Sequence, residues 1–306
     1  MWQLVRLLAL LALALLPIGI ARDTPQNLRD FYDLVRAKGR CSNELATGFY
    51  STDKGPNTFS YCGDHLDSSG IIYIQGRNGA LANMDVDCDG ANGGGGGGAA
   101  VAADDGRCRP STANSDTQGT TAFRDAVAGY NRNITDLNPY VHPYVVFGNA
   151  AGTRRRRGWR AFDPTAYGVR PLSAVAVVCP GYRLYFGVWG DTNGDDGPKP
   201  MVGEASLALA TFCGGQGVSG TNGIDGNDVL YIAFRGADAV PGPDGADWAA
   251  TDPATFESSI EPLGMRLVAR VQPGGDASDA PSRVLSTGKR KIAVVVITLS
   301  AMWFCS

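Results

Sequence analysis

Short apolar runs rich in Val, Ile, Tyr and Phe recur along this chain at 71–75, 144–147, 174–179, 184–189, 229–234 and 267–271, most of them closed by Gly, Pro, Asn or Asp. Runs of this length and composition, bounded by turn residues, read as β-strands. Helical spacing is confined to 28–37, 121–130 and 253–263, the last with Asp252 as N-cap and Pro253 in the first helical position. The expected fold is therefore mainly β with a few peripheral helices. Many short strands with irregular connections favour a barrel or sandwich over a doubly wound parallel sheet.

The ends of the chain differ from its middle. Residues 1–21 carry a basic Arg6, a long Leu/Ala run and a small-residue ending at Ala21, the pattern of a secretory signal peptide. The expected product is a secreted, extracellular protein with one sizeable domain over 22–271. Residues 272–306 form an atypical tail: a Gly/Asp/Ser/Pro-rich stretch, the basic Lys289-Arg290-Lys291, then an apolar run to Cys305. That tail fits either a glycolipid-anchor signal, which would hold the protein at the cell surface, or a chance extension. No stable membrane partner is otherwise expected. Inside the domain the glycine run 93–98 reads as a loop insertion, Arg154–Arg157 as a solvated loop, and Asn133-Ile134-Thr135 as a glycosylation sequon.

Six cysteines, Cys41, Cys62, Cys88, Cys108, Cys179 and Cys213, fall within the domain. In a secreted chain they predict three disulfides, and sequence does not choose among the fifteen pairings. They stand far apart with no CxxC pair, which disfavours a metal site. The formal net charge is −3; setting aside Arg6 and Lys289 to Lys291 leaves 23 basic residues against 30 acidic ones, a charge of −7. Such a domain repels nucleic acid and attracts a polycation.

Candidate chemistry sits in WGDTNGDDGPKPMVGEAS, 189–206, which places Asp191 and Glu204 thirteen residues apart with a polar Gly/Pro/Asn/Asp loop between apolar flanks. Read alone, this is a turn carrying two carboxylates, suited to glycoside hydrolysis, in which one acid protonates the leaving oxygen and the other activates water. The segments YCGD (61–64), NMDVDCDGAN (83–92), HPYVVFGN (142–149), PLSAVAVVC (171–179), GVWGDTNGDDG (187–197), MVGEAS (201–206) and DVLYIAF (228–234) occur in that order. Together they resemble the fungal chitosanases of glycoside hydrolase family 75, over roughly residues 27–271. The resemblance implies Asp191 and Glu204 as the essential pair, a six-stranded double-psi β-barrel, inversion at the anomeric carbon, endo-acting cleavage of β-1,4 bonds between glucosamine units, and chitosan as partner. It implies no metal or organic cofactor.

Other residues are assigned by chemistry. Asp85 and Asp87 would line the cleft and pair with glucosamine ammonium groups. Asp85, Asp87, Asp89 and Gly90 begin like a calcium loop, but the twelfth position is Gly96 and not the required glutamate. Asp195 would also bind substrate, and with Asp196 it would crowd Asp191. Trp189 and Tyr185 share a strand face that is either cleft or core, and His142 would contact substrate, orient a carboxylate or fill a structural role. The acid and base roles stay open. A helix beginning at Glu204 would favour it as base and crowding would favour Asp191 as acid, whereas the frequent division among inverting enzymes, Glu as acid and Asp as base, is preferred. The alternatives are a chitosan-binding protein without turnover and a hydrolase of neutral β-glucan or chitin.

Overall fold

The computed structural model describes residues 22–91, 105–113, 117–151, 159–194 and 197–274. The expected leader, the glycine run, the arginine run, Asp195, Asp196 and nearly all of the tail lie outside them. In chain order the strands are β1 (Arg22–Asp23), β2 (Glu44–Phe49), β3 (Phe59–Cys62), β4 (Ile71–Gln75), β5 (Ala82–Asp87), β6 (Tyr144–Asn149), β7 (Ala174–Cys179), β8 (Arg183–Asn193), β9 (Glu204–Ser206) and β10 (Ile224–Phe234). The helices are α1 (Gln26–Lys38), α2 (Arg109–Ala113), α3 (Arg124–Ala128), α4 (Leu207–Gly214) and α5 (Pro253–Val268). The chain is mainly β, as its short runs require.

Six strands pair in a closed circuit. β7 pairs with β8, β8 with β6, β6 with β9, β9 with β5, β5 with β10, and β10 returns to β7. The β6–β8 and β5–β9 pairs are parallel and the other four antiparallel. β4, β3 and β2 extend the sheet from β10, and β1 attaches to β8. Closing the circuit leaves few strand edges open and buries both faces of the central strands, so β6 and β7 are buried at every position.

Three helices cover this sheet, among them α4, which packs on β5, β9, β8 and β6. α1 buries Leu28, Phe31, Tyr32 and Val35, the one-sided spacing of an amphipathic helix. α5 packs on β8 and β7, and its buried Phe256, Ile260, Leu263 and Leu267 keep the helical period through the run 267–271 that composition assigned to a strand. That strand does not form: Leu267 and Val268 close the helix. Gly264, which invites reading a stop, is instead a contact point, since a Cβ there would stand 2.3 Å from the Phe186 ring. Arg22 anchors the same corner, its guanidinium gripping buried Glu257 while Phe186 N–H donates to Glu257 Oε1 at 3.0 Å.

Three disulfides form, Cys41–Cys62, Cys88–Cys108 and Cys179–Cys213. Asn133 of the sequon is exposed. No helix among the described residues is long and apolar enough to cross a membrane.

Candidate active site

Neither acid of the 189–206 stretch lies in a loop. β8 runs on to Asn193 and carries Asp191, while Glu204 opens β9 three residues before α4. The loop expectation fails because strand pairing with β6 satisfies the backbone of this polar sequence. Likewise Glu204 does not begin the helix. Ser206 caps it, accepting a hydrogen bond from Leu209 N–H at 3.3 Å, so the helix dipole does not single out Glu204.

Sheet register places the acids. Val146 of β6 stands opposite Asp191 on one side and Glu204 on the other, and Glu204 in turn stands opposite Asp85 of β5. Asp85, Glu204, Val146 and Asp191 thus form one row across four strands, with side chains on one face. At the usual strand spacing the Cα atoms of Asp191 and Glu204 are about 10 Å apart. The neighbouring row, the buried Ala205, Val145 and Trp189 with the partly buried Val86, packs on the core. On β5, β9 and β6 a one-residue alternation separates chemistry from packing, and on β8 the register shift at Gly190 separates Trp189 from Asp191.

The Trp-Gly-Asp sequence shows how Asp191 is held. Trp189 is buried, meets the Phe123 ring edge-on at 4.8 Å, and donates from Nε1 to the Asp191 carbonyl at 2.8 Å. Gly190 passes so close to Tyr144 that a Cβ would lie 2.6 Å from that side chain. Asp191 Oδ1 accepts from Ala122 N–H at 2.9 Å and Thr192 N–H at 2.7 Å. Its carboxyl is only 5% exposed, and burial, then the charge of Asp87, hold its pKa well above the usual carboxylate range.

Carboxylate oxygens of Asp87, Asp89 and Asp191 lie within 4.8 Å of one another, close enough to share one cation, whether an ammonium group or a metal ion. Cys88 ties this segment to α2, and Tyr144 O–H donates to the Asp89 carbonyl beneath it at 2.9 Å. On the other side Asn83 Nδ2 donates to Asp85 Oδ1 at 2.9 Å. Asp89 and Asn83 were not read as site residues. The period-two spacing of Asp85, Asp87 and Asp89 was the available signal for the first, and nothing local marks the second.

The remaining candidates separate. Asp85 and Asp87 join the row and the cluster. Trp189, with Tyr185, lies inside the fold and supports Asp191 from beneath, so it offers no ring to a sugar. His142 is also a core residue, 4% exposed. Its Nδ1 accepts from Asn138 N–H at 2.8 Å and its Nε2 faces the Trp248 carbonyl at 3.2 Å, which leaves neither nitrogen for substrate. Asp195 lies outside the described residues.

Paired acids borne on a rigid sheet, one of them desolvated, suit glycoside hydrolysis. Comparison with known proteins gives the same class. A family model described as fungal chitosanase of glycosyl hydrolase group 75 matches residues 84–270. An endo-chitosanase B of Aspergillus oryzae is 40% identical over 86% of this chain and 98% of its own length. An endo-chitosanase of Aspergillus fumigatus is 41% identical over the same shares. An endo-chitosanase C of Aspergillus oryzae is more distant, 29% identical over 52% of this chain and 32% of its own. The chain belongs to the fungal chitosanase family of glycosyl hydrolase group 75.

Proposed function

We propose that this protein is a secreted endo-chitosanase that cleaves β-1,4 bonds between glucosamine units with inversion, using Asp191 and Glu204. The observation that carries this reading is the register that sets both acids on one face with a single strand between them. An inverting pair needs its carboxyl groups roughly 6.5–9.5 Å apart to admit a water, which two strand spacings allow. The names of the relatives and the three disulfides support the substrate and the oxidising compartment. The closed six-strand circuit supports a barrel of the double-psi type.

Asp191 is the acid in this reading, the reverse of the division preferred from sequence. Burial and Asp87 favour its protonated form, and Oδ1 is occupied by two backbone N–H groups, so Oδ2 carries the proton to the glycosidic oxygen. Glu204, partly exposed, takes a proton from water as the water oxygen attacks the anomeric carbon and the glycosidic C–O bond breaks. Asp85 and Asp87 pair with substrate ammonium groups, and an ammonium docked beside Asp87 eases proton release from Asp191.

Reducing-end release from soluble chitosan by residues 22–274 tests the activity, with anomeric NMR of the first product testing inversion. Asp191→Asn and Glu204→Gln should each lower kcat by about a thousandfold or more. A folded wild type that retains chitosan but cuts none of chitosan, chitin or carboxymethylcellulose would establish the binding protein instead.

A further inference from the structure

Asn83 is 1% exposed and Ser51 fully buried, yet both are polar. Ser51 Oγ donates to Asn83 Oδ1 at 2.7 Å and accepts from Asn83 N–H at 2.8 Å. A hydroxyl has one proton to give, and here it goes to the amide oxygen. The amide cannot flip, so its NH2 faces Asp85 Oδ1 at 2.9 Å. Tyr231 O–H fixes the Asn83 carbonyl at 3.0 Å.

The same asparagine shapes the approach to Glu204. Gly203 has φ +93°, and a Cβ there would stand 2.6 Å from Asn83 Oδ1 and 2.9 Å from its carbonyl oxygen. Asp85 N–H donates to the Gly203 carbonyl at 2.8 Å, and Asp85 faces Glu204 in register. Burial, then the charges of Asp85 and Glu204, raise the Tyr231 phenol, which places both carboxylates over one floor. A donor that bonds Asp85 and packs against the residue before Glu204 sets the distance between the two.

We propose that Asn83, clamped by Ser51, is a positioning residue that aims Asp85 at the amine of the sugar lying against Glu204, making a free amine obligatory on that sugar. The inference rests on the chitosanase reading above. An N-acetyl group offers no positive charge and adds bulk, so one of the two sugars flanking the cut bond must be deacetylated. Asp87 and Asp89 lie on the Asp191 side and do not enforce this choice.

The test is cleavage of partially acetylated chitosan, followed by identification of the sugars at both kinds of newly formed end, beside kinetics on fully deacetylated chitosan. Wild type should leave only glucosamine at one of the two kinds of end. Asp85→Asn should admit N-acetylglucosamine at that same end and raise KM about tenfold, the scale of one lost charged hydrogen bond. Asn83→Ala and Ser51→Ala should shift the ends the same way and raise KM more than they lower kcat. Ser51→Ala touches neither acid and carries the test if Asp85→Asn does not fold. Mixed sugars at both ends in wild type, or ends unchanged by folded variants that lose only kcat, would overturn the inference while leaving the chitosanase reading intact. A wild type that cuts no chitosan would overturn both.

Discussion

At the scale of single residues, burial favours the neutral form of both Asp191 and His142. Burial and the neighbouring Asp87 raise the Asp191 carboxyl. The folded chain therefore binds a proton that the unfolded chain has released, so this group costs stability as pH rises above the ordinary value of 3.8. Asparagine keeps an oxygen for the two backbone N–H donors without the charge. Asp191→Asn should accordingly raise Tm at neutral pH by about 3 °C, on the order of 1 kcal/mol, while abolishing activity. The gain, measured by thermal denaturation, should shrink toward pH 3.8. His142 works in the opposite sense: burial pushes it down to about 4 from 6.5. Below 6.5 the unfolded chain gains a proton that the folded chain refuses, so stability falls with pH down to about 4. Urea denaturation of wild type and His142→Gln across that window should differ in slope by about 1.4 kcal/mol per pH unit, although the substitution lowers stability overall.

At the scale of elements, two disulfides close loops of nearly equal length, 21 residues for Cys41–Cys62 and 20 for Cys88–Cys108. Chain entropy makes their removal equally costly, about 3 kcal/mol each. Their positions differ in consequence, because Cys88 stands between Asp87 and Asp89 in the acid cluster. Replacing both cysteines of the second bridge with serine should lower kcat/KM at least tenfold more than replacing those of the first, at similar loss of Tm. Equal activity losses would mean that the bridge serves stability alone. Gly203, Gly190 and Gly264 make a related point, since each allows a close approach that a side chain would block.

At the scale of the whole molecule, the closed circuit of strands turns local alternation into a site. Residues 85, 146, 191 and 204 come from four strands separated by up to 119 positions, and only closure through β9 brings them into one row. The acid-rich face and the net charge of −3 define a long-range attraction for a polycation. Salt should therefore raise KM for chitosan several-fold while leaving kcat nearly constant. Steady-state kinetics at increasing sodium chloride check this, and a salt-independent KM would show that the field contributes nothing to capture.

Much of this was legible in the sequence because it is written in local chemistry. The β-branched runs at 71–75, 144–147, 174–179, 184–189 and 229–234 are strands because their side chains suit a pleated, buried surface. The order of motifs such as YCGD, WGDTNG and GEAS carries the family, and Asp191 and Glu204 stand out as acids beside apolar frames. What the sequence could not determine are facts that depend on partners distant along the chain. The run 267–271 begins as a helix end because α5, which closes at Val268, packs as a whole on β7 and β8, and Trp189 and His142 face inward because the sheet wraps them. Cysteine pairing, the burial that favours a protonated Asp191, and the hold of Asn83 on Asp85 likewise arise only in the folded chain. Propensity and motif are properties of neighbours in sequence, whereas register, burial and pairing exist only once strands from across the chain have closed on one another.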